Sequence, residues 1–216
     1  DAVLAVDAYQ GTSSGYDLAL IIDGYGYFTY NRLSSSEYNQ TYGIDLGDLD
    51  GDGDLDVFLA HYYEGTSGHD GSEVYFNLGN GMFVESGQDF YPSNYADYFE
   101  DGALGDLDND GDLDVFLSKF QGPNEVWFND GTGYFTFGYS LVNGNVANED
   151  VSLGDLNNDG YLDAVVAVGT TTVGTNIYLN NGDGSFSNYQ LPVDSYGSRG
   201  VALGDIDADG DLDITL

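Results

Sequence analysis

The sequence predicts an all-β fold, a β-propeller built from four-stranded antiparallel blades, and three observations lead to this prediction. A nine-residue acidic motif begins at Asp48, Asp106, Asp155 and Asp205, so the chain repeats itself roughly every 50 residues. Each copy leads into an apolar, β-branched run, and two further apolar segments follow around a Gly-x-Gly turn. Helical periodicity is almost lacking. Four strands per repeat is the size of a propeller blade, whereas parallel β-helices have much shorter repeats.

The first element of each repeat is the acidic motif, which reads DLDGDGDLD, DLDNDGDLD, DLNNDGYLD and DIDADGDLD in the segments called loops 1 to 4. Side-chain oxygens recur at positions 1, 3, 5 and 9, and glycine at position 6 lets the backbone curl around an ion. A solvated acidic turn is the alternative. However, carboxylates held within about 5 Å repel each other by roughly 3 kcal/mol per pair at an effective dielectric near 20. The motif therefore predicts a hard divalent cation, and its many oxygen donors favour Ca²⁺ over magnesium, about one ion per loop.

The predicted calcium ligands occupy the odd-numbered positions of the loops. They are Asp48, Asp50, Asp52, Asp54 and Asp56 in loop 1; Asp106, Asp108, Asp110, Asp112 and Asp114 in loop 2; Asp155, Asn157, Asp159, Tyr161 and Asp163 in loop 3; and Asp205, Asp207, Asp209, Asp211 and Asp213 in loop 4. An EF-hand is excluded because it needs an acidic residue at position 12, where this chain has Leu59, Leu117, Val166 and Leu216. Loop 3 has an asparagine in place of one aspartate, so we expect it to bind calcium most weakly.

The later elements of each repeat are predicted strands. The runs VFLA, VFLS, AVVA and ITL after the loops indicate buried strands, and hairpins follow at 18–28, 73–83, 125–135 and 176–186. Their turn glycines supply positive φ, and a phenylalanine anchors each returning strand. These residues are Gly24, Gly26 and Phe28; Gly79, Gly81 and Phe83; Gly131, Gly133 and Phe135; and Gly182, Gly184 and Phe186. A short run before the next loop, such as VSLGD, adds the fourth strand.

Boundaries placed near the loop ends divide the single repeat domain 1–216 into units of approximately 1–55, 56–113, 114–162 and 163–212, with a partial strand at 213–216. Asp1 aligns with position 9 of a loop, so the first and last segments correspond to the same strand. Three interpretations follow, in order of preference: a window from a larger propeller, a ring that tolerates a redundant strand, or a chain whose end completes a neighbouring copy.

The loop form GDxDxDGxxD and the hairpin form NxYxNxGxGxF together resemble the FG-GAP and VCBS repeats of integrin α-subunit propellers and of many secreted bacterial proteins. The resemblance covers essentially the whole chain, although the first hairpin has Ile22 where the others have Asn77, Asn129 and Asn180. It implies structural calcium sites and about seven blades in a complete propeller. It also implies that position 7 binds through its backbone carbonyl, which makes a tyrosine acceptable there.

Composition restricts the environment and the partners of the chain. The formal net charge is −35 and Lys and Arg number only three, so nucleic acids and anionic membrane surfaces are improbable partners. The sequence has no cysteine, no apolar stretch long enough for a membrane span and no signal segment at its first residue, and it is interpreted as a mature, soluble piece. Because calcium is abundant outside cells, we expect a secreted, extracellular protein.

The predicted function is a secreted calcium-binding propeller that acts as a binding or adhesion module for a glycan or an extracellular protein, and not as an enzyme. One alternative is a self-assembling structural protein, a homo-oligomer, head-to-tail filament or surface layer joined through its open terminal strands. Another is a polysaccharide hydrolase or lyase, although no Ser-His-Asp or Cys-His set is visible.

Two further groups of residues are candidates for function. His61, His69 and the aromatic segment 90–99 belong to one insert, which predicts either a carbohydrate platform or, with more weight, blade packing. A transition-metal site at the histidines is disfavoured because no cysteine assists them. Arg199 shares a register with the acidic pairs that precede loops 2 and 3, and we expect it to pair with them near the propeller axis.

Overall fold

The computed structural model describes residues 3–5, 18–22, 27–33, 40–62, 71–88, 90, 98–141, 146–170, 172–192 and 197–216, and all regular structure within these ranges is β-strand. The strands are β1 (Val3–Ala5), β2 (Leu18–Ile22), β3 (Phe28–Arg32), β4 (Gln40–Gly47), β5 (Asp56–Tyr62), β6 (Glu73–Asn77), β7 (Phe83–Glu85), β8 (Phe99–Gly105), β9 (Asp114–Lys119), β10 (Asn124–Asn129), β11 (Phe135–Leu141), β12 (Asn148–Gly154), β13 (Asp163–Val168), β14 (Asn176–Asn180), β15 (Phe186–Gln190), β16 (Ala202–Gly204) and β17 (Asp213–Thr215). The described ranges contain no helix capable of crossing a membrane.

Most strands belong to four-stranded antiparallel sheets of one design, in which consecutive strands are neighbours. Blade 1 is β4-β5-β6-β7, blade 2 is β8-β9-β10-β11 and blade 3 is β12-β13-β14-β15. A three-stranded sheet, β1-β2-β3, precedes them and a two-stranded sheet, β16-β17, follows. The predicted all-β fold with four-stranded antiparallel blades is confirmed.

Each acidic loop joins the first two strands of a sheet. Loop 2 connects β8 to β9, whose register pairs Gly105 with Asp114, and the strands flanking loops 1, 3 and 4 pair in the same way. The strand before a loop therefore shares a sheet with the strand after it. As a result the sheets are offset by one strand from the predicted sequence units, whose boundaries stay a prediction.

The first strands of successive sheets pack side by side, β4 against β8, β8 against β12 and β12 against β16. Aspartates link them across the blade boundaries, because Asp101 Oδ2 accepts the N–H of Val151 at 3.2 Å and Asp150 Oδ2 accepts the N–H of Val201 at 2.7 Å. Gly43 on β4 leaves the space that Asp101 occupies, since a Cβ there would collide with that carboxylate.

The core lies between neighbouring blades and is rich in aromatic side chains. Between blades 1 and 2, the ring of Phe90 packs at 5.3 Å from Phe58 and at 5.0 Å from Trp127. Between blades 2 and 3, Phe116 packs at 5.5 Å from Tyr178. Each such ring, fully buried, contributes about 1.5–3 kcal/mol through the hydrophobic effect, with additional ring–ring attraction. These contacts fix the angle at which consecutive loops face each other.

Candidate metal centres

Three of the four loops gather carboxylates at one point. In loops 1, 2 and 4, one oxygen from each of the aspartates at positions 1, 3 and 9 lies within 4.8 Å of the other two. These groups are Asp48, Asp50 and Asp56; Asp106, Asp108 and Asp114; and Asp205, Asp207 and Asp213. Clustered carboxylate oxygens are the donors that hard divalent cations prefer. The predicted ligands at positions 5 and 7 are not members of these groups.

The aspartates also hold the loop backbone in place. In loop 2, Asp106 accepts the N–H groups of Asp110 at 3.1 Å and Gly111 at 3.2 Å, while Asp110 Oδ1 accepts the N–H of Asp112 at 3.0 Å. Loops 3 and 4 have the same three hydrogen bonds. The position-5 side chain therefore shapes the turn, and the shared bonds show that the nine-residue sequence determines its own local fold.

Two positions of each loop have left-handed backbone. The glycine at position 6 was predicted, and Gly53, Gly111, Gly160 and Gly210 have φ between +92° and +100°. Position 4 was not predicted, yet Gly51, Asn109, Asn158 and Ala208 have φ between +58° and +76°. Glycine and asparagine adopt this conformation readily, which was the available signal. Ala208 is the exception, and its backbone there is strained.

The aspartate at position 9 connects each loop to the strands of its blade. Asp114 is fully buried, and its two oxygens accept the N–H groups of Leu107 and Asn129, each at 2.9 Å. Burial raises the pKa of Asp114 to about 6, although both hydrogen bonds lower it. Burial also raises the pKa of Asp56 and of Asp163. A divalent cation beside such a carboxylate would favour its ionised form.

Loop 1 provides a test of whether the residues fit a cation. Asp48 Oδ2 accepts the N–H of Gly53 at 3.0 Å, whereas Asp48 Oδ1 is buried and has no hydrogen-bond partner among the described residues. A buried acceptor left without a donor costs on the order of 1–3 kcal/mol, and more when it is charged. A cation held with Asp50 and Asp56 would satisfy that oxygen, so the residues of loop 1 fit a divalent ion.

Loop 3 is chemically different because Asn157 occupies position 3. Its Nδ2 donates to Asp159 Oδ2 at 2.9 Å, and its Oδ1 accepts the N–H of Asp159 at 3.0 Å. The neutral amide of Asn157 therefore gives Asp159 a hydrogen-bond donor and leaves loop 3 with one carboxylate fewer than the other loops at positions 1, 3 and 9. Weakest calcium binding by loop 3 stays a prediction.

The side chain at position 7 lies against the Gly-x-Gly turn of its own blade. The carboxylate of Asp112 occupies the space beside Gly131, and the ring of Tyr161 takes the corresponding place beside Gly182, where a Cβ would collide with it. The described turn glycines have positive φ, between +73° and +83°, as predicted: Gly79, Gly81, Gly131, Gly133, Gly182 and Gly184. Gly24 and Gly26 lie outside the described residues.

Three of the histidine and aromatic candidates, His61, Phe90 and Phe99, are fully buried, whereas Tyr98 is partly buried. His61 is fully buried with Nδ1 at 3.1 Å from the carbonyl oxygen of Gly71, and burial lowers its pKa to about 4. Phe90 and Phe99 are also fully buried. These positions support the packing interpretation. His69 and residues 91–97 lie outside the described residues, so the histidine pair and the carbohydrate platform stay predictions.

The acidic residues before loops 2 and 3 and the arginine before loop 4 are electrostatic neighbours. Burial and the charge of Glu149 raise the pKa of Glu100 to about 7, while the charge of Arg199 lowers it. The shared register thus brings these three side chains within interaction range. A functional pairing among them stays a prediction.

Three segments match a known repeat family. The family model described as the FG-GAP-like repeat matches residues 48–117, 106–166 and 155–216, which is more than half of the chain. Comparison with curated protein sequences gave no match. Among solved structures, the crystal structure of the V. cholerae biofilm matrix protein Bap1 is similar, with 18% sequence identity and a TM-score of 0.47. That similarity covers 91% of this chain and 29% of the Bap1 chain, so this chain spans less than a third of the Bap1 length.

Proposed function

Because this chain belongs to the FG-GAP-like repeat family, we propose that it is a secreted calcium-binding propeller domain with structural ions and a surface used for binding or adhesion. The metal assignment is carried by one observation, the buried Oδ1 of Asp48, which lies beside two other carboxylates and lacks a hydrogen-bond donor among the described residues. A cation supplies what this oxygen lacks.

Electrostatic repulsion within the loops supports the same proposal. Carboxylate oxygens lie within 4.8 Å of one another in loops 1, 2 and 4. At that separation two unit charges repel by roughly 3 kcal/mol at an effective dielectric near 20. Calcium fits better than magnesium because the loops offer many oxygen donors in a flexible arrangement. We therefore expect about one calcium ion per loop, or four in the chain.

The ion has a structural role in this proposal. The carboxylates at positions 1, 3 and 9 hold it, and the residues at positions 5 and 7 are further donors. Because the position-9 aspartate is also hydrogen-bonded to two segments of its blade, such as Leu107 and Asn129 in blade 2, the ion fastens the loop to the sheet. Calcium affinity then becomes folding free energy.

The surface chemistry supports binding or adhesion as the use of this scaffold. Exposed aromatic side chains include Tyr30, Tyr134 and Tyr189, which are 71%, 61% and 58% exposed. Aromatic faces stack on sugar rings and anchor protein partners. The net charge of −35 disfavours polyanionic ligands, so the partner class is a glycan without strong negative charge or an extracellular protein. No catalytic role is proposed for any residue.

A chelation experiment tests the calcium proposal. A site with calcium at 100 times its Kd contributes about 2.7 kcal/mol of stability, so EDTA should lower Tm by more than about 10 °C. Calorimetric titration should give about four sites, and Asp50→Asn should remove or weaken one. Asp183→Asn is the matched control, since Asp183 is an exposed turn aspartate outside the loops. An unchanged Tm in EDTA would contradict the proposal.

A binding experiment tests the adhesion proposal separately. The calcium-loaded chain should bind particular glycans on an array, or an extracellular protein, without releasing shortened products. Tyr134→Ser and Tyr189→Ser should weaken that binding without changing Tm, because both side chains are mainly exposed. Release of sugar fragments would instead indicate the hydrolase or lyase alternative.

A further inference from the structure

The hairpin turns of blades 2 and 3 each lie close to the acidic loop of the preceding blade. A Cβ placed on Gly184 in blade 3 would come within 3.1 Å of the Cβ of Asp108 in loop 2, and one on Gly133 in blade 2 would lie 3.6 Å from the carbonyl oxygen of Leu49 in loop 1. The nearest neighbours of both glycines are phenylalanine rings of the preceding blade, Phe76 beside Gly133 and Phe128 beside Gly184. Each turn therefore packs against a ring and the acidic loop of the preceding blade.

A buried asparagine joins this turn to two loops at once. Asn129, only 4% exposed, donates from Nδ2 to the carbonyl oxygen of Leu113 in its own loop at 3.1 Å, and to that of Leu49 in the preceding loop at 2.9 Å. Its Oδ1 accepts the N–H groups of Gly131 and Gly133 at 3.2 and 3.1 Å. All the hydrogen-bonding capacity of this amide is used at the junction.

The next blade repeats the arrangement one step along the chain. Asn180, also 4% exposed, donates to the carbonyl oxygens of Leu162 in loop 3 at 3.1 Å and of Leu107 in loop 2 at 2.8 Å. Its Oδ1 accepts the N–H of Gly182 at 2.9 Å. The same pattern of hydrogen bonds therefore occurs at two different blade boundaries.

The residue at position 2 of the loop is held on both sides. The N–H of Leu49 donates to Asp56 Oδ2 at 2.8 Å, and its carbonyl accepts from Asn129. Leu49 stands between Asp48 and Asp50, which both belong to the carboxylate group of loop 1. The peptide that orients these two aspartates is thus fixed by a residue of the following blade.

The corresponding asparagine of blade 1 gives a natural contrast. Asn77 donates to the carbonyl of Leu55 in its own loop at 3.2 Å, and its Oδ1 accepts the N–H of Gly79 at 3.1 Å. Among the described residues its hydrogen bonds remain within blade 1. We propose that Asn129 and Asn180 are positioning residues that make the calcium affinity of each loop depend on the hairpin of the next blade. This inference rests on the proposed calcium binding.

The test counts calcium sites by calorimetric titration of the full chain carrying Asn129→Asp, Asn180→Asp or Asn77→Asp. Aspartate keeps the oxygen that accepts from the glycine amides, but it replaces the donor with an oxygen that faces carbonyls. We expect Asn129→Asp to weaken two sites, loops 1 and 2, about tenfold each, which corresponds to about 1.4 kcal/mol per site. Asn77→Asp should weaken only loop 1. Asp50→Asn should by itself abolish or weaken calcium binding by loop 1. In a chain that already carries Asp50→Asn, Asn129→Asp should therefore weaken only one further site, loop 2.

Hydrogen exchange in the presence of calcium locates the affected loops. Asn129→Asp should speed exchange in segments 48–56 and 106–114, and Asn180→Asp in 106–114 and 155–163. If the asparagines only stabilised the fold in general, the two substitutions would affect the same segments. The inference predicts instead that the affected pair of loops shifts by one blade between Asn129→Asp and Asn180→Asp. The inference is overturned if Asn129→Asp and Asn77→Asp affect equal numbers of sites.

If Asn129→Asp does not fold, the coupling can be tested by substituting the loop and measuring hydrogen exchange in the hairpin turn. Since coupling is reciprocal, Asp50→Asn in loop 1 should speed exchange in the blade 2 turn at 130–134 and leave the blade 3 turn at 181–185 unchanged. Equal exchange in 130–134 with and without this substitution would overturn the inference. A wild-type chain that takes up no calcium would overturn the proposed function itself, whereas uptake without any effect across blades would overturn only the coupling.

Discussion

Loops 2 and 4 differ at only two of nine residues, but their surroundings differ greatly. Both form the same turn, with the N–H of the fifth residue donating to the first aspartate at 3.1 Å in each, and both gather three carboxylates. In loop 2 the position-2 residue Leu107 is 1% exposed, whereas its counterpart Ile206 in loop 4 is 70% exposed. The loop sequence therefore determines the loop backbone, and the neighbouring strands determine how deeply the loop is anchored.

The largest effect that would separate the two loops is loss of the position-9 carboxylate. Asp114→Ala leaves the buried N–H groups of Leu107 and Asn129 without an acceptor and should cost about 3–5 kcal/mol of unfolding free energy. Asp213→Ala should cost only about 1 kcal/mol, because Asp213 is partly exposed. Urea unfolding in saturating calcium measures both. Each variant loses the position-9 carboxylate of an equivalent loop, so equal losses of unfolding free energy would show that burial of this carboxylate is irrelevant.

An effect of intermediate size concerns pH and the strands that precede the loops. Burial, then the hydrogen bond shared with Asp150, raises the pKa of Asp101 to about 8, whereas the corresponding residue before loop 4 is Gly200. The folded chain therefore keeps a proton, between about pH 4 and 8, that the unfolded chain has lost. Stability should fall as pH rises through this window, because the folded chain must release a proton that the unfolded chain has already lost.

The variant Asp101→Asn isolates that effect, because an amide resembles the protonated carboxyl group in shape and donor capacity. It should match the wild type near pH 5 and be more stable near pH 9 in urea unfolding with calcium. Glu100, Glu149 and Arg199 stay in place in both proteins. Asp45→Asn is the control, since Asp45 accepts from the backbone amides of Leu46 and Leu104. Identical pH profiles for the wild type and Asp101→Asn would refute the proton-linked interpretation.

The smallest effect concerns the other difference between the loops, at position 4. Ala208 in loop 4 has φ of 64°, and Asn109 in loop 2 has φ of 67°. Ala208→Gly should raise the unfolding free energy by about 1 kcal/mol, because glycine has no Cβ to oppose the left-handed conformation. Thermal unfolding measures the change. Ala202→Gly, in strand β16, should have the opposite sign; a destabilising Ala208→Gly would contradict the strain argument.

Much of the fold follows from local sequence signals. The loop positions, the strands after them and the positive φ of the turn glycines were all predicted, because each depends on residues close together in the chain. The grouping of strands into sheets depends on whether the strand before a loop pairs with the strand after it. No local pattern indicated that β8 pairs with β9 in one blade. The units drawn from loop to loop are therefore offset from the sheets by one strand, and their boundaries stay a prediction.

The candidate sites show the same division. In loops 1, 2 and 4 the aspartates at positions 1, 3 and 9 come together as their spacing indicated, since one short loop of backbone suffices to gather them. The sequence also contained Asn129 and Asn180 as motif residues, but not their contacts with the preceding loop. Those contacts depend on the angle between blades, which the buried aromatic rings determine. Spacing along the chain carries no information about that angle.

The hydrogen bonds from one hairpin asparagine to two loops have a consequence for how such proteins lengthen. Blade 2 contains both halves of the junction, the carbonyl of Leu107 that accepts from the next blade and the Asn129 amide that donates to the previous one. In a tandem duplication of this segment, the Asn129 amide of the second copy would face the Leu107 carbonyl of the first copy. The array could therefore gain a blade without a compensating mutation at the new blade boundary.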